Sequence, residues 1–468
     1  MITVSNNYQQ AINAPRRQIK AKIDVYFDGV NAPPTTFTEQ DIQKMTLLEE
    51  LKAESNTPFG FVSSNELTID FINVSGDFTP SNPNGKYSQK LLPDILIKPY
   101  LGLVLANDSI EWIPLGVFWS KNWNTSSQTI TTVNAYDILY NIRQKDMPII
   151  RVQENSNLYD MFQTLFNALG ISNYTIDERL KKYKISLGFY EDTVSATLQS
   201  MAVAGNCYIK ADRYGNIVVN SNFTNKLPVA SFTDDVNVID TQNPQDYMKI
   251  YSEVSVNYVM PSIQEETEIA RLDNFKIPVG TTTFDNLSFS SPVYKITQVN
   301  LLNSKYSSIT AVKYGARGIA ITVNNTVADE EVTLQVIGYP IQTTALNYAV
   351  QDAEAVSKIG VKTFRISNNN FIQTLDTAKE YANSILNFVR NPMPQYIIKT
   401  RGDMAIEAGD VITIADSVNK IPETNVVVVR QNMVYDGGLE VDISAQIPVV
   451  PYAWVYVSPG LYEYVAEY

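Results

Sequence analysis

Five carboxylates and one thiol are the side chains of this sequence whose type and spacing bear on catalysis. Asp234 with Asp235, and Glu265 and Glu266 with Glu268, lie close enough to suggest the paired carboxylates of glycoside cleavage. Carboxylates this near to one another in polar stretches are the ordinary mark of solvated loop charge, and they are read so here. The chain contains no histidine. Cys207 therefore has no imidazole to raise it to a thiolate, and Ser195 and Ser200 have none with which to build a Ser-His-Asp site. The commonest proton shuttle and metal ligand are missing for the same reason. Arg401-Gly402-Asp403 matches the integrin-binding tripeptide, but strand signals on both sides make it a tight turn. No glycine-rich phosphate loop, cysteine pair or calcium-loop spacing occurs. The expectation is no catalytic residue, no cofactor, no metal and no enzyme.

Composition sets the outer limits. A chain of 468 residues is too long for one ordinary core, and roughly three or four domains are expected. Hydrophobic residues make up 44% and charged residues 18%, which describes an ordered globular protein. One cysteine closes no internal disulfide, and a buried thiol in a reducing compartment is expected. No signal peptide and no run of 18 apolar residues is present, so no membrane-spanning segment is expected. The net charge of −13 argues against a protein held to nucleic acid by phosphate contacts, though not against a surface past which DNA slides.

The elements follow from periodicity. Ile19, Ala21, Ile23, Val25 and Phe27 alternate with polar residues and mark a half-buried strand. Thr38 with Asp41, and the Phe37–Ile42 pair, look like a helix cap and predict a short helix or turn reaching about Ala53. Leu67, Ile69 and Phe71 mark another strand, with Thr68, Asp70 and Ile72 on its other face. Leu115 to Trp123 and Thr129 to Tyr136 predict a hairpin with its turn at Asn124 to Gln128. Helices are expected after Ser156 or Asn157 and after Thr193, ending at Gly170 and Gly205, followed by a hairpin turning at 212–216. Val254, Val256 and Tyr258 mark a strand that opens a second barrel. The clearest helix starts at Thr374 and carries Ala378, Tyr381, Ala382, Ile385, Leu386 and Val389 on one stripe before Pro392. Strands are expected at Gln395 to Thr400, Val411 to Ala415, Thr424 to Val434 and Leu439 to Ala445.

These patterns predict a mainly β (α+β) protein with two tube-like β-barrel domains, one inserted α/β module and one inserted β-rich module. The expected division is 1–147 with a return segment 226–245 for the first barrel, 148–225 for the α/β module, 246–270 with 371–447 for the second barrel, 271–370 for the β-rich module, and 448–468 for an aromatic C-terminal extension.

Four stretches resemble phage tail hub and tail-associated proteins. They are Thr38 to Ile72 with Phe59-Gly60-Phe61, Ile113 to Asp137, Asp352 to Gly360, and a C-terminal set. The last comprises Thr400 to Asp403, Glu407 to Ile412 and Tyr435 to Leu439. Ile359 stands where that family often has tyrosine. The resemblance implies a homotrimer whose two similar barrels per chain form a pseudo-sixfold ring. Such a ring matches a hexameric tail tube or distal tail protein above and a spike, fibre or tail-tip protein below, with a lumen for transient, non-specific passage of DNA. It also implies a place in the virion tail, assembled in the host cytoplasm. The alternative is a baseplate adhesin that recognises host surface glycans through the 271–370 module or exposed aromatics such as Trp112 and Trp123.

Gly409, Asp410, Val411, Ile412 and Ile414 are the candidate ring contacts. Tyr452, Trp454, Tyr456, Tyr462 and Tyr464, in a segment with no lysine or arginine after Arg430, are the candidate partner-docking residues.

Overall fold

The computed structural model describes residues 1–51, 60–221, 227–244, 250–390 and 395–447. It is mainly β, with its longest sheet made of fourteen strands, and its contacts divide it into two compact units. One unit comprises Met1–Asn141, Tyr208–Ile250 and Asn391–Tyr468; the other comprises Ile142–Cys207 and Tyr251–Arg390.

The fourteen-stranded sheet lies in the first unit. Ile42–Glu50, Glu66–Ile72, Ile130–Tyr136, Phe118–Ser127, Leu96–Val104, Ile19–Tyr26 and Thr35–Thr38 are neighbours in that order. On its other side Ile42–Glu50 pairs with Ile421–Tyr435, which continues to Leu439–Gln446, Gln395–Thr400 and Val238–Gln242. Inward-facing side chains of both halves pack into one core. Ile23, Ile69 and Phe118 come from the first half, and Ile398, Val428 and Ile443 from the second.

Several expectations change here. Thr38 to Leu51 is not a helix: the Thr38 amide donates to Asp41 Oδ2 at 2.9 Å, which turns the chain into the strand Ile42–Glu50. The same Thr-Asp pair satisfies either a helix start or a β turn, and sheet pairing on both sides of 42–50 decides for the turn. The hairpin arm from Phe118 runs on to Ser127, leaving Gln128 and Thr129 as the turn, because Thr125 and Ser127 find partners in Thr131 and Ile130. The described part of the expected return segment pairs with the C-terminal strands: Ser231–Thr233 joins Val411–Asp416 and Val238–Gln242 joins Gln395–Thr400.

In the second unit Glu253–Ile263 pairs with Glu330–Gln351 and Thr363–Asn369, not with the strands 395–446. The 22-residue strand Glu330–Gln351 explains this, since its later half offers eleven consecutive partners to Glu253–Ile263. Its earlier half pairs with Thr267–Ile277 and Val293–Leu302. With Gly280–Ser288, Gly318–Asn325 and Ser307–Tyr314 these strands enclose a separate core of Ile277, Phe289, Ile321, Val323, Leu334 and their neighbours.

Three helices of this unit start where the caps indicate. Asn157, Thr193 and Thr374 each accept a hydrogen bond from the amide three residues on, and the six stripe residues of Leu375–Val389 are buried.

Candidate functional site

Strand alternation gives the long sheet a second face, away from its core, that is polar across most of its width. Thr46 lies opposite Thr68, Thr68 opposite Asn134, and Asn134 opposite Asn122. The Thr68 hydroxyl donates to Asn134 Oδ1 at 3.0 Å, and Asn134 Nδ2 donates to Asn122 Oδ1 at 2.9 Å. In the next row Thr132 donates to Asp70 at 2.6 Å. Another row crosses both halves of the sheet, from Lys399 through Asp442, Asn432, Leu48, Glu66 and Tyr136 to Trp119. Cross-strand hydroxyl, amide and ion pairs of this kind hold register while leaving a wettable surface. Charges of both signs stand on it: Asp24, Glu50, Glu66, Asp70, Glu440 and Asp442 with Lys20, Lys22, Lys44, Lys98, Lys399 and Arg430. Period-two alternation identifies one strand of this face, Thr68, Asp70 and Ile72; the rows across strands need the registers.

A buried ion pair fixes the middle of the sheet. Glu49 and Gln431 are direct partners on the core side, and Arg213 reaches both strands' environment from the 212–216 turn. Arg213 donates to the Glu49 carboxylate at 2.7 and 2.9 Å, to the Ile406 carbonyl at 2.6 Å, and to the Met404 carbonyl. Gln431 Nε2 donates to Glu49 and to the Ile406 carbonyl. Burial works against the guanidinium charge, but the Glu49 carboxylate outweighs it and holds Arg213 above its ordinary value.

The other sequence-flagged residues fall as follows. Gly409, Asp410, Val411, Ile412 and Ile414 are buried within the chain's own fold, and Val411–Asp416 has hydrogen-bonded neighbours on both edges. They offer no surface for a ring contact in this fold, because the partners of this strand are intrachain. Tyr452, Trp454, Tyr456, Tyr462 and Tyr464 lie outside the described residues, as does Phe59.

Arg401-Gly402-Asp403 is a structural turn. Gly402 has φ +79°, Arg401 donates to the Ala14 and Pro15 carbonyls, and Asp403 accepts from the Tyr8 hydroxyl at 2.8 Å and the Ala405 amide at 2.9 Å. Burial pushes the Asp403 carboxyl up. Asp234, Asp235, Glu265, Glu266 and Glu268 are exposed. Cys207 is buried, which pushes its thiol up. Trp123 is not exposed either: it packs with Phe27 and Phe71, and its indole donates to the Leu92 carbonyl at 3.2 Å. Trp112 is half-buried under the Lys22 ammonium. Among the described residues no group of three His, Cys, Asp or Glu side chains is placed to hold a metal, and no helix is long and apolar enough to cross a membrane.

No protein-family model matches the sequence, and no curated protein matches it. Solved structures do match the fold. The 43 kDa tail protein of prophage MuSo2 from Shewanella oneidensis superposes with a TM-score of 0.50 at 9% identity, covering 91% of this chain and 97% of that one. A tail protein from Neisseria meningitidis MC58 gives a TM-score of 0.50 at 9% identity, over 92% and 96% of the two chains. The class is thus a mainly β protein with the fold of phage tail proteins. At such low identity the likeness establishes the fold alone.

Proposed function

We propose that this chain is a non-enzymatic structural component of a phage tail or related injection machine, acting as the hub between tail tube and tail tip. The observation that carries the reading is the end-to-end match of fold with two tail proteins, spanning more than nine-tenths of every chain compared. The hub is a homotrimer in which the two halves of the long sheet, joined at Ile42–Glu50 and Ile421–Tyr435, serve as the two barrel-like parts each protomer contributes. The polar face of that sheet lines the lumen. Hydroxyls, amides and charges of both signs offer phosphate no cluster of cations, so the duplex slides without being held. Each protomer adds a charge of −13 to the ring.

The test is native mass spectrometry of the full chain with class averages from electron microscopy. A particle of three times 52.5 kDa with a central hole in end view supports the hub. A compact monomer at micromolar concentration, unchanged by tail-tube protein, overturns it.

A further inference from the structure

The first unit holds a cavity of ≈ 760 Å³ beside the strand Val238–Gln242, and its charge runs against that of the whole chain. Arg16, Arg17 and Arg401 line it, together with the Lys20–Glu39 ion pair at 2.5 Å. Glu440, also at the wall, is paired with Lys399. Once these pairs are set aside, three guanidinium groups face one carboxylate, Asp436. None of the three has an ion-pair partner among the described residues. Arg17 donates to the Gly402 carbonyl at 2.5 Å, and Arg401 to those of Ala14 and Pro15, so main-chain carbonyls and not ion pairs take their hydrogen bonds. Asp403, the carboxylate behind them, is committed to Tyr8 and to the Ala405 amide. Burial first, and then the neighbouring Arg401 charge, bring the Arg17 guanidinium down to about 10 against the opposing pull of Tyr8 and Asp403.

Two further features say what kind of anion fits. Val238–Gln242 is the last strand of its sheet and, among the described residues, pairs on one side only. A bulge between Val238 and Asp240 leaves Ile239 at the cavity wall, 56% exposed. An open edge and an apolar contact suit an extended polypeptide, and guanidinium forks suit planar carboxylates. Nucleic acid fits less well. Its backbone carries one charge about every 1.7 Å of duplex, a density that three guanidinium groups beside Asp436 do not match. We propose that this cavity recognises an acidic polypeptide segment of a partner protein, which lies along the edge of Val238–Gln242 with its carboxylates on Arg16, Arg17 and Arg401.

The experiment is calorimetric titration of the full chain, at low and moderate salt, with a hexaglutamate peptide, inorganic phosphate and a dodecathymidylate. Saturable, salt-sensitive binding of the peptide is expected. Arg16→Glu should weaken it about tenfold or more, as expected for reversing a contact charge. Arg16 is exposed, so this change leaves the fold intact, which circular dichroism checks. Gly438→Phe is the charge-neutral companion. A Cβ at Gly438 meets nothing within 4 Å and its φ is not in the left-handed region, so the ring fills the cavity and should weaken binding likewise. Absence of saturable peptide binding overturns the proposal, as does binding unchanged in both folded variants. Tighter binding of the oligonucleotide or of free phosphate also overturns it, in favour of a phosphate site. The titration is read per chain, so its outcome does not depend on whether the protein is a trimer.

Discussion

Glu49 and Arg213 stand 164 residues apart in sequence and meet in the core of the first unit through two parallel hydrogen bonds of 2.7 and 2.9 Å. Both side chains are nearly fully buried, at 4% and 1% exposure. Removing one partner leaves an uncompensated charge in the interior. Arg213→Ala or Glu49→Ala is expected to destabilise the fold by about 3–5 kcal/mol. The double replacement Glu49→Leu with Arg213→Met should be much milder than the sum, because no charge is then left behind. Chemical denaturation of the four proteins measures this, and strict additivity of the two single changes would contradict the pairing.

The same pair shows where the sequence stops being legible. Alternation at Met45 and Leu47 points to a strand, but the next inward position is Glu49, a charge where a strand pattern wants an apolar residue. Its compensation lies in the 212–216 turn, which turn chemistry locates without showing that Arg213 points inward. With Thr38 and Asp41 resembling a cap, the segment therefore reads as a short helix or turn. Elements whose partners are local are read well from residues alone, as with Thr374 and the stripe of Leu375–Val389. Pairing between distant strands is not, because period-two patterns specify a face and not a neighbour. The polar face was half legible for that reason: Thr68 and Asp70 could be placed on it, whereas their alignment with Asn134, Thr132 and Asn122 is a matter of register.

Glu330 gives a pH-dependent contribution to the second unit. Burial acts to raise its pKa, but the nearby Ser307 side chain together with hydrogen bonds from the Lys305 amide, the Ser304 hydroxyl at 2.9 Å and the Tyr306 amide outweigh it and hold the carboxyl down to about 2. A depressed carboxylate contributes stability that is complete above its unfolded value and is lost as pH falls through the folded one. Glu330→Gln should therefore cost about 1 kcal/mol near neutrality, a figure reduced for solvent screening. The difference from wild type should shrink between about pH 4.5 and pH 2. Thermal melts across that range check it; a constant difference would mean that the carboxylate charge plays no part.

Gly315 admits no side chain. A Cβ there would sit 2.5 Å from the Ile150 carbonyl oxygen and 2.6 Å from its amide nitrogen, both main-chain atoms. The Ala316 amide donates to the same carbonyl at 2.7 Å, so the two segments cannot part without losing that bond. Gly315→Ala is expected to destabilise the fold by about 1–3 kcal/mol, the usual range for forced overpacking. It should also raise hydrogen exchange at the Ala316 amide. Wild-type stability and protection in the variant would show that the contact is not maintained in solution.

Cys207 tests the interior around the helix Val194–Ala204. Its side chain is enclosed, and a Cβ at Gly205 would lie 2.8 Å from Leu158, 2.9 Å from Leu180 and 3.2 Å from the Cys207 sulfur. Burial pushes the thiol up, so the reactive thiolate is scarce at neutral pH even for a reagent that could reach it. The native protein should leave an aromatic disulfide reagent unreacted over hours and release one equivalent of product on denaturation. Gly205→Ala, which forces Leu158 and Leu180 aside, should cost about 1–3 kcal/mol and speed the reaction by loosening the site. Rapid labelling of the wild-type native chain would mean that this helix opens locally far more often than its packing implies.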